Sequence, residues 1–285
     1  MNARDAFYFI TETPARAAIR GADLLTAILR EPPAVEYQPI KDARTLDTVG
    51  YEALARFTAH GRTLPPDRVF AALHDNPLLF HYTELKWKRL QIELAPRDGH
   101  LFVNLDPDAW VHGWHSDGTD SYLELFAPLS GWLVVEIIEN LHLSDAERAQ
   151  SLSNAFKQAG VPIALDDVSS TQGIVSFASL KDAQYMKFER SWLFDDTDVA
   201  DREVRLALIE YALSLSQRFE LTTILEGVET EAHLALARRY GFDCVQGFLF
   251  KDQFIRRVGE RRGHPARPHS IHLSGSPEDW QQLDR

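Results

Sequence analysis

Short apolar runs in this chain repeatedly carry one ionisable or amide side chain within them or at their ends. The runs are Val35 to Ile40, Thr48 to Ala55, Leu101 to Leu105, Leu133 to Ile138, Ile163 to Asp167, Tyr185 to Phe188, Thr222 to Glu226 and Cys244 to Phe248. The polar residues are Glu52, Asn104, Glu136, Asp166 with Asp167, Lys187, Glu226 and Gln246. A carboxylate in a short apolar strand is costly to bury alone, so it must be paired, protonated or bound to metal. Taken singly, each is as readily a structural ion pair. Together they call for a fold that brings strand ends to one place, and a closed barrel does so at one mouth.

The rest of the pattern agrees with a barrel. The first two runs are joined by a polar turn around Lys41 to Arg44, short enough for an antiparallel hairpin. Helical stretches separate most of the later runs, such as Ser144 to Ala159 closed by Gly160 and Glu231 to Tyr240 closed by Gly241, each preceded by a capping hydroxyl. The expected fold is therefore α/β, a modified (β/α)8 barrel of the TIM type with one antiparallel strand. Residues 1–33 read as an amphipathic helical lead-in, with Ala22, Leu25, Ala27, Ile28 and Leu29 on or near one face and Pro32-Pro33 ending it. The barrel is expected over 34–255. Residues 256–285, rich in Arg, His, Pro and Ser, read as a weakly structured tail.

Glu, Asn and Asp are oxygen donors, which suit Mg²⁺, Mn²⁺ or Ca²⁺ rather than a metal that selects thiolates. Five such ligands exceed what one octahedral ion that keeps its waters takes from protein, which suggests two ions sharing Asp166. Two ions would clamp a phosphate and generate hydroxide from water, and the chemistry deduced is phosphodiester hydrolysis. Lys187 would orient that hydroxide or stabilise developing charge; it reads equally as a salt-bridge partner for Asp167. The formal net charge of -12 argues against general binding to DNA or RNA. The basic cluster Arg256, Arg257, Arg261 and Arg262 reads as a solvated helix end or tail. The single cysteine, Cys244, fits a reducing compartment, so a cytoplasmic location is expected. No signal-peptide order or membrane span is expected, since the apolar run from Trp132 to Ile138 is broken by Glu136.

Motif by motif, the chain resembles the EAL domain family of cyclic di-GMP phosphodiesterases over roughly residues 22–254. The resemblance is carried by Tyr37-Gln38-Pro39-Ile40, Gly50-Tyr51-Glu52-Ala53-Leu54 with Arg56, Val103-Asn104-Leu105, Glu136-Ile137-Ile138-Glu139 and Ala164-Leu165-Asp166-Asp167. It continues through Lys187-Phe188-Glu189-Arg190, Glu226-Gly227-Val228-Glu229-Thr230 and Gln246-Gly247-Phe248. The resemblance implies metal binding by Glu52, Asn104, Glu136, Asp166 and Asp167, with Glu226 close to the second ion and Lys187 positioning the attacking water. It implies ligand contacts from Gln38, Leu54 and Arg56, with Gln246 lining the same mouth and Glu139 steadying a neighbouring loop. The implied cofactor is Mg²⁺ or Mn²⁺, as two ions, and the implied product is the linear dinucleotide pGpG. A homodimer is a further expectation of the resemblance, and a regulatory protein partner is one source of input.

Two departures from the family pattern bear on turnover. After the aspartate pair the family usually has Phe-Gly-Thr-Gly-Tyr-Ser-Ser; this chain has Val168-Ser169-Ser170-Thr171-Gln172-Gly173-Ile174, which removes both glycines and their access to positive φ. Glu189 stands where the family usually has aspartate. The altered loop from Val168 to Ile174 motivates the alternative of a catalytically weak or inactive protein acting as a cyclic di-GMP receptor or interaction scaffold, whereas Glu189 keeps the charge and leaves the site intact. A metal-assisted lyase with Lys187 as base ranks last, for want of a capping domain.

Overall fold

A computed structural model describes residues 19–113, 119–138, 143–168, 180–194 and 199–260. Its strands are β1 (Ala34–Asp42), β2 (Thr48–Ala59), β3 (Arg62–Leu64), β4 (His100–Asn104), β5 (Leu133–Ile138), β6 (Ile163–Val168), β7 (Tyr185–Phe188), β8 (Thr222–Leu225), β9 (Cys244–Val245) and β10 (Ile255–Val258). The order β1-β9-β8-β7-β6-β5-β4-β2 closes on itself through the β1–β2 pairing, giving an eight-strand barrel. Within the ring, β2 and β4 to β9 run parallel to one another, whereas β1 is antiparallel to both β2 and β9.

The turn after β1 decides that exception. Asp42 Oδ1 accepts the backbone N–H groups of Arg44 and Thr45, each at 2.8 Å, and Leu46 takes a positive φ of 63°. So short a connection cannot make the crossover a parallel pair needs. The later connections are helical. The helix Pro77–Glu93 starts on Asn76, whose side chain accepts from Leu79 N at 3.1 Å. The helix Glu231–Tyr240 starts on Thr230 and stops at Gly241, left-handed at φ 82°.

Alternate strand residues pack outward against the helices. Val35, Tyr37, Ala53, Phe57, Val103, Val135 and Ile163 belong to one large buried cluster, and Leu165, Met186, Phe188, Leu225 and Val245 to a second. In the lead-in, the helical turns Gly21–Leu25 and Thr26–Arg30 bury Leu24, Ala27 and Ile28, while Leu25 and Leu29 stay exposed. Lys86 Nζ donates to Ile28 O at 2.7 Å and ties the lead-in to the helix Pro77–Glu93.

Strand β10 crosses the boundary expected at residue 255. Arg256 and Arg257, expected in a helix end or tail, lie on β10, which pairs antiparallel with Ala34 to Tyr37. The reason is tertiary: β9 covers only Lys41 and Asp42 of β1, so the other half of β1 offers an open edge. Among the described residues no helix is long and apolar enough to cross a membrane.

Candidate active site

Strand periodicity assembles the candidate site at one level of the lumen. Ile40, Phe102, Val134, Ala164, Ile224 and Cys244 form a buried apolar cluster, with Tyr185 packed against it. Two residues further along the parallel strands, on the same face, stand Asn104, Glu136, Asp166, Lys187, Glu226 and Gln246. On β2 the same step runs from Gly50 to Glu52; on β1, which runs the other way, it runs back from Ile40 to Gln38, directly opposite Glu52. Gly50 is required by crowding: a Cβ there would lie 2.7 Å from His100 O and 3.0 Å from Phe102 Cε2. An apolar floor thus supports a polar layer nearer the mouth.

Lys187 is the centre of that layer. Its Nζ lies 2.6 Å from Glu226 Oε1, 2.7 Å from Glu136 Oε1, 3.0 Å from Asp166 Oδ1 and 3.7 Å from Glu52 Oε2. Glu52 also accepts from Asn104 Nδ2 at 2.8 Å and from Gln246 Nε2 at 2.6 Å. Lys187 and Glu136 are 1% and 0% exposed, so water contributes almost nothing to balancing these charges.

One described ammonium therefore serves four buried carboxylates, and protons make up part of the difference. Burial, reinforced by the Glu52 charge, holds the Glu136 carboxyl well above the usual range. Burial likewise pushes Glu226 up to about 8, against the pull of Lys187. At Glu52 burial also opposes ionisation, but Lys187 together with Gln246 and Asn104 outweighs it and keeps this carboxyl low. Lys187 itself is held well above its ordinary value, because the surrounding carboxylates overcome the cost of burying it.

The residues fit a hard divalent cation in chemistry: the donors are oxygens, their formal charge exceeds that of Lys187, and Glu136 Oε2 has no hydrogen-bond partner among the described residues. The described carboxylates are turned onto Lys187 Nζ. Among the described residues no three His, Cys, Asp or Glu side chains are gathered at ligating distance of a common point.

Nearer the mouth, Arg56 Nη2 donates to Glu36 Oε1 at 2.6 Å, and Gln38 Nε2 donates to the same oxygen at 3.2 Å. Leu54 and Arg56 are half-buried, and both share the lumen face with Glu52. Of the residues singled out in the sequence, the structure brings Gln38, Glu52, Asn104, Glu136, Asp166, Lys187, Glu226 and Gln246 to one level, with Leu54 and Arg56 above. Asp167 lies on β6, but its side chain is outside the described residues, as are Glu139 and residues 169–174. Lys187, read from the sequence either as orienting the hydroxide or as a salt-bridge partner for Asp167, engages the four described carboxylates, and any pairing with Asp167 lies outside the described residues. Glu189 accepts from Ser191 Oγ at 2.8 Å. Glu229 pairs with Arg190 at 2.6 Å, and Thr230 supplies the capping hydroxyl expected before Glu231. Sequence reasoning missed Glu36, although its signal was of the same kind: an acid in an apolar strand, two residues from Gln38 and so on its face.

The sequence model of the EAL domain matches residues 22–253. Among curated proteins, the chain is similar to the probable cyclic di-GMP phosphodiesterase PdeN of Escherichia coli (strain K12), 24% identical over 249 residues, covering 83% of this chain and 47% of that protein. The chain thus spans about half the length of this curated relative. Among solved structures it is similar to the PaMucR phosphodiesterase in complex with c-di-GMP, with a TM-score of 0.64 and 24% identity over 84% of this chain and 96% of that one. It is also similar to the Bacillus subtilis YkuI protein, which has an EAL domain, in complex with c-di-GMP and calcium, with a TM-score of 0.64 and 20% identity over 86% of this chain and 59% of that one.

Proposed function

The chain belongs to the EAL domain family, and we propose that its carboxylate-lined mouth binds cyclic di-GMP with divalent cations and hydrolyses it to linear pGpG. The observation that carries this reading is the convergence of Glu52, Glu136, Asp166 and Glu226 on one level of the lumen, with a single described ammonium among them. Glu52, Asn104, Glu136, Asp166 and Asp167 are the residues that would hold Mg²⁺ or Mn²⁺, as two ions, with Glu226 beside the second. Such ions would neutralise the phosphodiester and activate a water molecule.

The chain's own residues supply the rest. In the reaction the water oxygen joins phosphorus, the P–O3′ bond breaks and the water proton ends on the departing 3′ oxygen. Lys187, held charged by its neighbours, orients the water or stabilises charge on the phosphoryl oxygens. The Arg56 guanidinium suits a pair of phosphate oxygens. Leu54 offers an apolar contact beside it, and Gln38 and Gln246 offer amides at the same mouth. The floor below, from Ile40 to Cys244, limits how deep a ligand reaches.

A second reading, a nucleotide receptor or scaffold without turnover, draws on the carboxylates being turned onto Lys187 and on the departure from the family pattern at Val168 to Ile174. Incubation with cyclic di-GMP and Mg²⁺ or Mn²⁺, with chromatographic separation of pGpG, decides between them. Metal-dependent product that disappears in Glu52→Ala and with chelator is the expected result. Binding without product by folded protein would establish the receptor, and product unchanged in Glu52→Ala would refute the assigned metal site.

A further inference from the structure

The lumen face of β1 carries an acid that the proposed reaction does not use. Glu36 stands opposite Leu54 of β2 on one side and Arg256 of β10 on the other, one level nearer the mouth than Gln38. Its Oε1 atom accepts from both Arg56, at 2.6 Å, and Gln38, at 3.2 Å. The Arg56 and Glu36 side chains are only 14% and 20% exposed, so water screens the pair incompletely. Burial works against the Glu36 charge, but Arg56, Gln38 and Arg256 outweigh it and hold the carboxyl below its usual range.

One carboxylate oxygen therefore holds the two polar side chains assigned to the nucleotide at this level. A phosphate seeking Arg56 meets an anion already on the guanidinium, and two anions sharing one cation repel. We propose that Glu36 is a positioning residue that competes with the ligand's phosphate for Arg56 and so sets how tightly an anionic dinucleotide is held. On binding, the carboxylate is handed to Arg256, its cross-strand neighbour on β10. The proposal rests on the reading of the mouth as a cyclic dinucleotide site, and it gives β10, at the end of the described chain, a part in ligand affinity.

The test is the affinity for cyclic di-GMP, measured by calorimetry in Ca²⁺, the ion present with the same nucleotide in the YkuI structure. Wild type, Glu36→Gln, Glu36→Asp, Arg256→Gln and the double variant Glu36→Gln/Arg256→Gln are compared, each with a melting curve to establish folding. Glu36→Gln is expected to bind roughly three- to tenfold tighter than wild type, the scale of a partly screened charge pair. Glu36→Asp, which keeps the charge, stays near wild type. Arg256→Gln binds more weakly, but loses most of that effect when Glu36 is already Gln, a coupling that general damage to the mouth would not produce. Binding by wild type with equal or weaker affinity in Glu36→Gln overturns the competition alone. No binding by folded wild type and Glu36→Gln alike overturns the nucleotide reading, and this proposal with it.

Discussion

Lys187 is the residue on which the charge balance of the mouth turns. It touches three carboxylates at 3.0 Å or less and a fourth at 3.7 Å. Lys187→Met keeps much of the volume and removes the charge. In chelator at pH 8 the variant is expected to lose about 3–5 kcal/mol, the scale for breaking a buried ionic group on one side. Much of the loss should return at pH 5, well below the value of about 8 at which Glu226 takes up its proton, and the upward shift of Glu136 acts in the same direction. Urea denaturation at both pH values checks this, and a loss independent of pH would mean that the balance of Lys187 against these carboxylates is not what stabilises the fold. At this scale the sequence marked which groups are buried polar, because a strand with one acid among apolar residues leaves few alternatives. It did not mark which of them pair: the choice of Lys187 for Glu136, Asp166 and Glu226 depends on side-chain reach across a closed lumen.

Among the elements, β2 and β4 meet where no side chain fits. Gly50→Ala would set a Cβ against the backbone oxygen of His100 at 2.7 Å and the Phe102 ring at 3.0 Å, so β2 must shift against β4. The expected cost is about 1–3 kcal/mol of unfolding free energy, with reduced metal-dependent binding because Glu52 lies two residues on. Loss of stability with ligand affinity intact would show that the floor and the polar layer above it move independently. The ring strands were legible to within a few residues, because each is a short apolar run bounded by turn or helix signals. The strands β3 and β10 were not. Arg62–Leu64 and Ile255–Val258 have little apolar pattern of their own and pair because β2 and β1 present edges to them.

For the whole molecule, the surplus of buried carboxylates links stability, pH and metal. Glu226 has a folded value of about 8 against an ordinary 4.5. The folded state therefore binds this proton more tightly, and the contribution is full below the ordinary value and lost as pH rises through about 8. Without metal, stability should fall by more than about 1 kcal/mol between pH 5 and pH 8. Mg²⁺ or Mn²⁺, binding the folded state and displacing the protons, should restore it, so the gap between metal-loaded and chelated protein widens with pH. Melting temperatures across that range provide the check. A gap that is absent, or that does not change with pH, would remove these carboxylates from the metal site.

The sequence by itself determined the barrel, its antiparallel first strand and the set of polar residues at its mouth. Period-two alternation, a turn too short for a crossover and the repeated placing of one polar residue near each strand end are local properties, written in consecutive residues. Tertiary structure alone decided that, among the described residues, four carboxylates share one ammonium, that Glu36 already occupies Arg56, and that β10 completes the edge of β1. Each of these is a relation between residues far apart in the chain, whose distance is set by closure of the ring and not by any local preference.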